Sequence, residues 1–115
     1  MTMRRQLLAL LTTVAAVAAF AAISGAHAAN LEAGKAKAKE VCAACHGEDG
    51  SSPNPDYPKL SGQHRDYLEK ALRDYKSGAR KNPIMAAFAG ALTNADIENL
   101  SAYFHAQPAT LSFKH

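Results

Sequence analysis

The chain has 115 residues, with 13 Lys and Arg against 10 Asp and Glu and a formal net charge of +3. That length argues for one domain. The basic residues are scattered rather than blocked together, which excludes nucleic-acid recognition of the kind that needs many clustered Lys or Arg.

The first segment stands apart from the rest. Arg4 and Arg5 precede an apolar run of 17 residues from Leu7 to Ile23, broken only by Thr12 and Thr13, and Ala26-His27-Ala28 closes it with a small-x-small pattern. This is the three-part layout of a secretory signal peptide. The run falls short of the roughly 18 apolar residues that suggest a spanning helix, so cleavage after Ala28 is expected rather than a permanent membrane anchor. The residues around Arg4-Arg5 match a twin-arginine signal poorly, which favours ordinary export to the periplasm. Residues 1–28 are read as a cleaved leader and 29–115 as the domain. Its 87 residues retain 11 basic and 10 acidic side chains, a net charge of +1. So small an exported chain buries a modest core and usually leans on disulfides or a cofactor. With only two cysteines, three positions apart, a disulfide would constrain the unfolded chain little. A cofactor is therefore expected at the centre.

Asn30 can cap a helix running from Leu31 towards the cysteines, with Leu31, Gly34, Ala38 and Val41 on one narrow face of small residues. Gly47 to Gly62 reads as a loop, carrying Gly50, Ser51, Ser52, Pro53, Pro55 and Pro58. At 16 residues it is long for a compact domain, and Tyr57 and Leu60 favour its wrapping a ligand. Ser61 opens a second helix, with Tyr67, Leu68, Ala71, Leu72 and Tyr75 on one side and four-residue charge pairs (Asp66–Lys70, Glu69–Arg73, Lys70–Asp74) on the other, ending at Gly78. Arg80 to Leu92 is irregular or only briefly helical, punctuated by Pro83 and Gly90. Thr93 caps the last helix, with Asp96 at its third position and Ile97, Leu100, Tyr103 and Phe104 as its apolar stripe, and Pro108 ends it. No segment alternates in the strand period. The expected fold is all-α: three main helices with long loops.

Residues 41–47 read Val-Cys-Ala-Ala-Cys-His-Gly. Cys42, Cys45 and His46, at i, i+3 and i+4, can address one object from one helix face. A structural zinc site wants four ligands, and neither a second cysteine pair nor a His-x₃₋₅-His spacing is present. A disulfide oxidoreductase places its Cys-x-x-Cys at a helix start after a strand, whereas here the motif ends a helix. Covalent haem attachment reads Cys-x-x-Cys-His directly, and export carries the chain to where such haem is added. One haem c, joined through Cys42 and Cys45 and ligated by His46, would also supply the missing core. The haem-free chain is then expected to be unfolded or molten. For the opposite side of the iron, Met85 is the only methionine after residue 28, and its polarizable sulfur suits ferrous iron. His64, near a helix start, and His105, on the last helix, are its rivals, and His115 is terminal.

With Cys42-x-x-Cys45-His46, Pro58 and Met85 in place, the chain resembles class I cytochromes c, in particular the short bacterial monohaem type and one half of the dihaem periplasmic cytochromes. The resemblance runs over nearly all of residues 30–107 and implies their fold, with helices and loops wrapped around one covalent haem. In the family a Pro-x-Leu-x-Gly segment follows the haem histidine; here it is Pro58-Lys59-Leu60-Ser61-Gly62, starting twelve residues after His46. The resemblance implies that the Pro58 carbonyl accepts a hydrogen bond from His46, which fixes the ring and raises its basicity as a ligand. It also implies that Leu60 packs on the haem and that Met85 is axial. It implies a crossing of the first and last helices, with Gly34 against Tyr103 as the candidate contact. Two features depart from the family: Ala38 stands where many members carry a bulky aromatic, and no Trp or Arg is obviously placed for the haem propionates.

The function these features point to is that of a periplasmic one-electron carrier rather than an enzyme, since two strong axial ligands leave no open position for substrate. The family implies redox partners such as a quinol-oxidising complex, a terminal oxidase, or a periplasmic reductase or dehydrogenase, met through small, weak interfaces by a monomer or weak dimer. Lys59 and Lys81 lie near the motifs and can steer an acidic partner. Two alternatives stand beside this reading: a fixed electron-transfer subunit of a larger oxidoreductase, and a haem with a labile sixth ligand that opens to a small molecule.

Overall fold

A computed structural model describes residues 28–109. The expected leader up to its last residue, and His115, lie outside the described residues. Among the described residues all regular structure is helical: α1 (Leu31–Val41), α2 (Ala43–His46), α3 (Arg65–Ser77), α4 (Pro83–Gly90) and α5 (Asn94–His105). None is long and apolar enough to cross a membrane.

The three longest helices are the three expected ones, and their ends follow from side-chain chemistry. Asn30 caps α1 by accepting from the Ala33 N–H, and its own N–H donates to Asn99 Oδ1 at 2.8 Å, which ties the start of α1 to α5. Thr93 and Asp96 form a reciprocal capping box on α5. Helix α3 starts later than expected. Ser61 and Gly62 sit in a turn held by the Gly62 N–H to the Phe104 carbonyl at 2.9 Å, and His64 occupies the cap position. Of the three charge pairs expected on α3, Glu69–Arg73 and Lys70–Asp74 form, whereas Asp66 accepts from the Tyr67 N–H.

The stretch expected to be irregular or only briefly helical takes the second form, a two-turn helix. Pro83 opens α4 instead of breaking it, because proline is favoured at the first helical position and the Asn82 side chain accepts from the N–H groups of Ile84 and Met85.

Helices α1 and α5 cross at Gly34, where an added Cβ would lie 2.2 Å from the Asn99 carbonyl oxygen and 2.9 Å from the Tyr103 Cβ. Only hydrogen fits there. Ala38, fully buried one turn later, keeps the approach close. Helix α3 packs on both α4 and α5, and Arg73 reaches Glu98 at 3.5 Å across the α3–α5 contact. The core is Ala38, Leu68, Leu92, Ile97, Leu100, Tyr103 and Phe104. Each large apolar side chain buried there contributes about 1.5–3 kcal/mol of transfer free energy.

The loop from Gly47 to His64 is tied down along its length. The Ser52 N–H donates to the His46 carbonyl at 2.8 Å, the Leu60 N–H to the Gly50 carbonyl at 2.8 Å, and the Tyr103 hydroxyl to the Glu48 carbonyl at 2.9 Å. Gly50 has φ 77°, and an added Cβ would lie 2.8 Å from Phe104 Cδ1, so α5 and the loop meet at a residue without a side chain.

Candidate cofactor site

The cysteine pair straddles a break between helices. Helix α1 ends at Val41, Cys42 is its C-cap, and the single turn of α2 carries Cys45 and His46, with the His46 N–H donating to the Cys42 carbonyl at 2.9 Å. The i, i+3, i+4 spacing is thus realised as one tight turn rather than the end of a continuous helix. Both thiols and the His46 ring line one cavity of about 360 Å³, within the ordinary range for a small-molecule or cofactor site.

All five helices and the long loop contribute to this cavity. Its wall includes Val41 from α1, Leu68 and Leu72 from α3, Met85, Phe88 and Ala89 from α4, and Leu100, Ser101 and Phe104 from α5, with Pro58 and Leu60 from the loop. It is an apolar slot with sulfur and nitrogen donors brought to it. A large flat apolar group with a metal at its centre fits this donor set, and the two thiols are free to bond it. Burial pushes the Cys42 thiol up to about 11 by desolvation, so it stays protonated at neutral pH. A buried neutral thiol of this kind is a poor nucleophile.

His46 is itself buried, and its Nδ1 lies 2.8 Å from the Pro58 carbonyl oxygen. A carbonyl can only accept, so Nδ1 carries the proton and Nε2 is left with its lone pair for a metal. The Pro58–His46 hydrogen bond expected from the resemblance is therefore present. Met85, in the first turn of α4 and half-buried, lines the same cavity. The rival histidines do not: His64 is exposed at the start of α3, and the exposed His105 ring donates through Nδ1 to the Gln63 carbonyl at 2.7 Å.

One polar group on the wall was not expected from sequence. Arg80, just after the turn at Gly78, lines the cavity; its guanidinium lies 4.8 Å from the centre of the Tyr75 ring and 3.4 Å from the Tyr67 hydroxyl. Hydrogen bonding to Tyr67 raises the Arg80 pKa further, so the site keeps a permanent positive charge at its edge. A cation and two phenols there can receive carboxylates. Arg80 is brought to the cavity only by the turn after α3, which is why the linear sequence does not mark it.

Comparison with known proteins points the same way. Residues 31–107 match the family model described as cytochrome c. Cytochrome c4 of Thiocapsa roseopersicina is 47% identical over 79 residues, covering 69% of this chain and 41% of that protein. The thiosulfate dehydrogenase electron acceptor of Stutzerimonas stutzeri strain A1501 is 38% identical over 79 residues, covering 68% of this chain and 37% of that one. The crystal structure of reduced recombinant cytochrome c4 from Pseudomonas stutzeri superposes with a TM-score of 0.69 at 40% identity, over 75% of this chain and 50% of that chain. This chain thus spans half or less of the length of these relatives. With two cysteines and a histidine converging on one apolar cavity that is closed by crossed helices, the chain belongs to the cytochrome c family, and Cys42-x-x-Cys45-His46 is its attachment sequence for one covalent haem c.

Proposed function

We propose that the protein is a periplasmic one-electron carrier whose single haem c is bonded to Cys42 and Cys45 and ligated by His46 and Met85. The observation that carries this reading is the convergence of those four side chains, and no other histidine among the described residues, on one cavity. When bound, the haem supplies a one-electron ferric/ferrous couple. The protein's own residues do the rest. The Pro58 carbonyl holds the His46 ring in one tautomer and orientation and strengthens it as a ligand. The thioether of Met85 favours the softer ferrous iron and raises the potential. The apolar wall from α3, α4 and α5, with Leu60 from the loop, excludes water and keeps the site from reorganising on electron transfer. His46 and Met85 would together hold the iron, which would leave small molecules no open site.

The name of the S. stutzeri relative as an electron acceptor of a dehydrogenase supports a donor of that class. A quinol-oxidising complex, a terminal oxidase or a periplasmic reductase are the other partners the family implies, all met through small transient interfaces. Lys59, exposed at the cavity edge, and Lys81 add positive charge for an acidic partner. Residues 1–28 act as the cleaved leader that takes the chain to the periplasm, where it works as a monomer or weak dimer.

Carbon monoxide separates a carrier from a haem that opens to small molecules. Reduced wild-type protein at neutral pH is expected to leave carbon monoxide unbound, while Met85→Ala binds it readily. Rapid binding by the wild type would overturn the carrier reading.

A further inference from the structure

Helix α5 presents Leu100, Ser101 and Phe104 to the haem cavity. With Ile97 they form one face at helical spacing. Three of the four are large, apolar and almost wholly buried. Ser101 is a polar residue in the middle of that stripe; it is 0% exposed, and its Oγ has no hydrogen-bond partner among the described residues. Other buried polar side chains are answered: the His46 ring by the Pro58 carbonyl, and the Ser52 hydroxyl by loop carbonyls. A serine inside a helix ordinarily turns its hydroxyl back to the carbonyl four residues earlier, and this one does not bond the Ile97 carbonyl.

An unanswered buried hydroxyl is destabilising unless something in its surroundings meets it. The residues flanking Ser101 on this face, Ile97, Leu100 and Phe104, are apolar, and its hydroxyl has no bond among the described residues, so the dipole is left free to respond to a charge in the cavity.

We propose that Ser101 lowers the reduction potential of the haem by placing a rotatable, otherwise unbonded hydroxyl dipole in the apolar wall of its cavity. This rests on the reading of the cavity as a haem c site. The ferric site carries one more positive charge than the ferrous site, and a low-dielectric wall penalises the more charged state. A hydroxyl free of other bonds turns its oxygen towards that charge and stabilises the oxidised form, with no equal gain in the reduced one. Ser101 thus opposes the upward pull of the apolar wall and of a thioether ligand. It acts on the couple through the field it adds and ligates nothing.

The test is a mediated optical redox titration of the haem-loaded full chain as wild type, Ser101→Ala and Ser101→Thr. Ser101→Ala is expected to reduce more easily, its ferrous-to-ferric ratio at fixed poise rising about three- to tenfold, where tenfold corresponds to about 59 mV for one electron. Ser101→Thr keeps the hydroxyl and is expected to stay near the wild-type potential. Thermal melts in both oxidation states give a second readout, in which Ser101→Ala lowers the ferric melting temperature relative to the ferrous one. An unchanged potential in Ser101→Ala overturns the proposal, and so does an equal rise in Ser101→Thr, which would assign the effect to packing. Absence of covalent haem would show in the spectrum before any titration, and would remove the cofactor reading and the proposal together.

Discussion

Replacing Gly34 with alanine puts the α1–α5 crossing under direct strain. The new methyl would lie 2.2 Å from the Asn99 carbonyl oxygen, 2.7 Å from its carbon and 2.9 Å from the Tyr103 Cβ, while ordinary contact begins near 3.4 Å. Two of these three atoms are backbone of α5 and cannot swing aside, so the helices must part by about 1.2 Å at the contact. That movement loosens the Asn30–Asn99 hydrogen bond and the packing of buried Ala38 in the same crossing. Overpacking of this kind costs about 1–3 kcal/mol, and a backbone obstacle places this site towards the upper end. The better helix propensity of alanine returns roughly 0.5–1 kcal/mol. The net expectation is a loss of about 2 kcal/mol, or a fall of roughly 8–16 °C in melting temperature for a domain of this size. Melting of the haem-loaded protein followed by far-ultraviolet circular dichroism measures it. Gly90→Ala is the matched control: an added Cβ there meets nothing within 4 Å, and a small stabilisation is expected. If Gly34→Ala melts within a degree or so of wild type, the close crossing is not what joins these two helices.

Acid should reach α5 through its cap. Accepting the Thr93 N–H holds the Asp96 carboxyl below its usual range, helped by the Thr93 side chain and by the charges of Lys37 and Lys76. A depressed folded-state pKa contributes stability that is present above the unfolded value and is lost as pH falls through the folded one. The melting temperature should therefore fall below about pH 4, and less steeply in Asp96→Asn; equal slopes in the two proteins would remove Asp96 from the acid response. Loss of haem is a larger perturbation, because the cofactor fills the space on which all five helices converge. A Cys42→Ser, Cys45→Ser chain is expected to give no cooperative melt, since binding to the folded state alone is what stabilises it; a sharp transition near the wild-type temperature would show that the helices hold without the cofactor.

The sequence was most readable where a side chain acts on its own neighbourhood. The Asn30 cap, the Thr93–Asp96 box, the Cys-x-x-Cys-His turn and the Pro58 segment are local patterns, and each appears where its residues place it. Two misreadings concern where helices begin. Pro83 looked like punctuation because a proline at the first position of a helix and one between helices look alike until Asn82 is seen capping. Ser61 looked like a helix start, but the turn it occupies is fixed by a distant partner, the Phe104 carbonyl bonded to Gly62. Arg80 and Ser101 were out of reach for a different reason. One reaches the cavity only because α3 ends at Gly78, with φ 83°, and turns the chain back. The other matters only because its hydroxyl lacks the bond that a helical serine usually makes.

The ferric absorption spectrum of the exported protein, read side by side for wild type and Met85→Ala, bears most directly on the site as a whole. A covalently bound haem with a sulfur-to-iron charge-transfer band that disappears in Met85→Ala is the expected result. A band that survives the substitution, or one that never appears in the wild type, would contradict the assignment of Met85 and return His64 and His105 to contention.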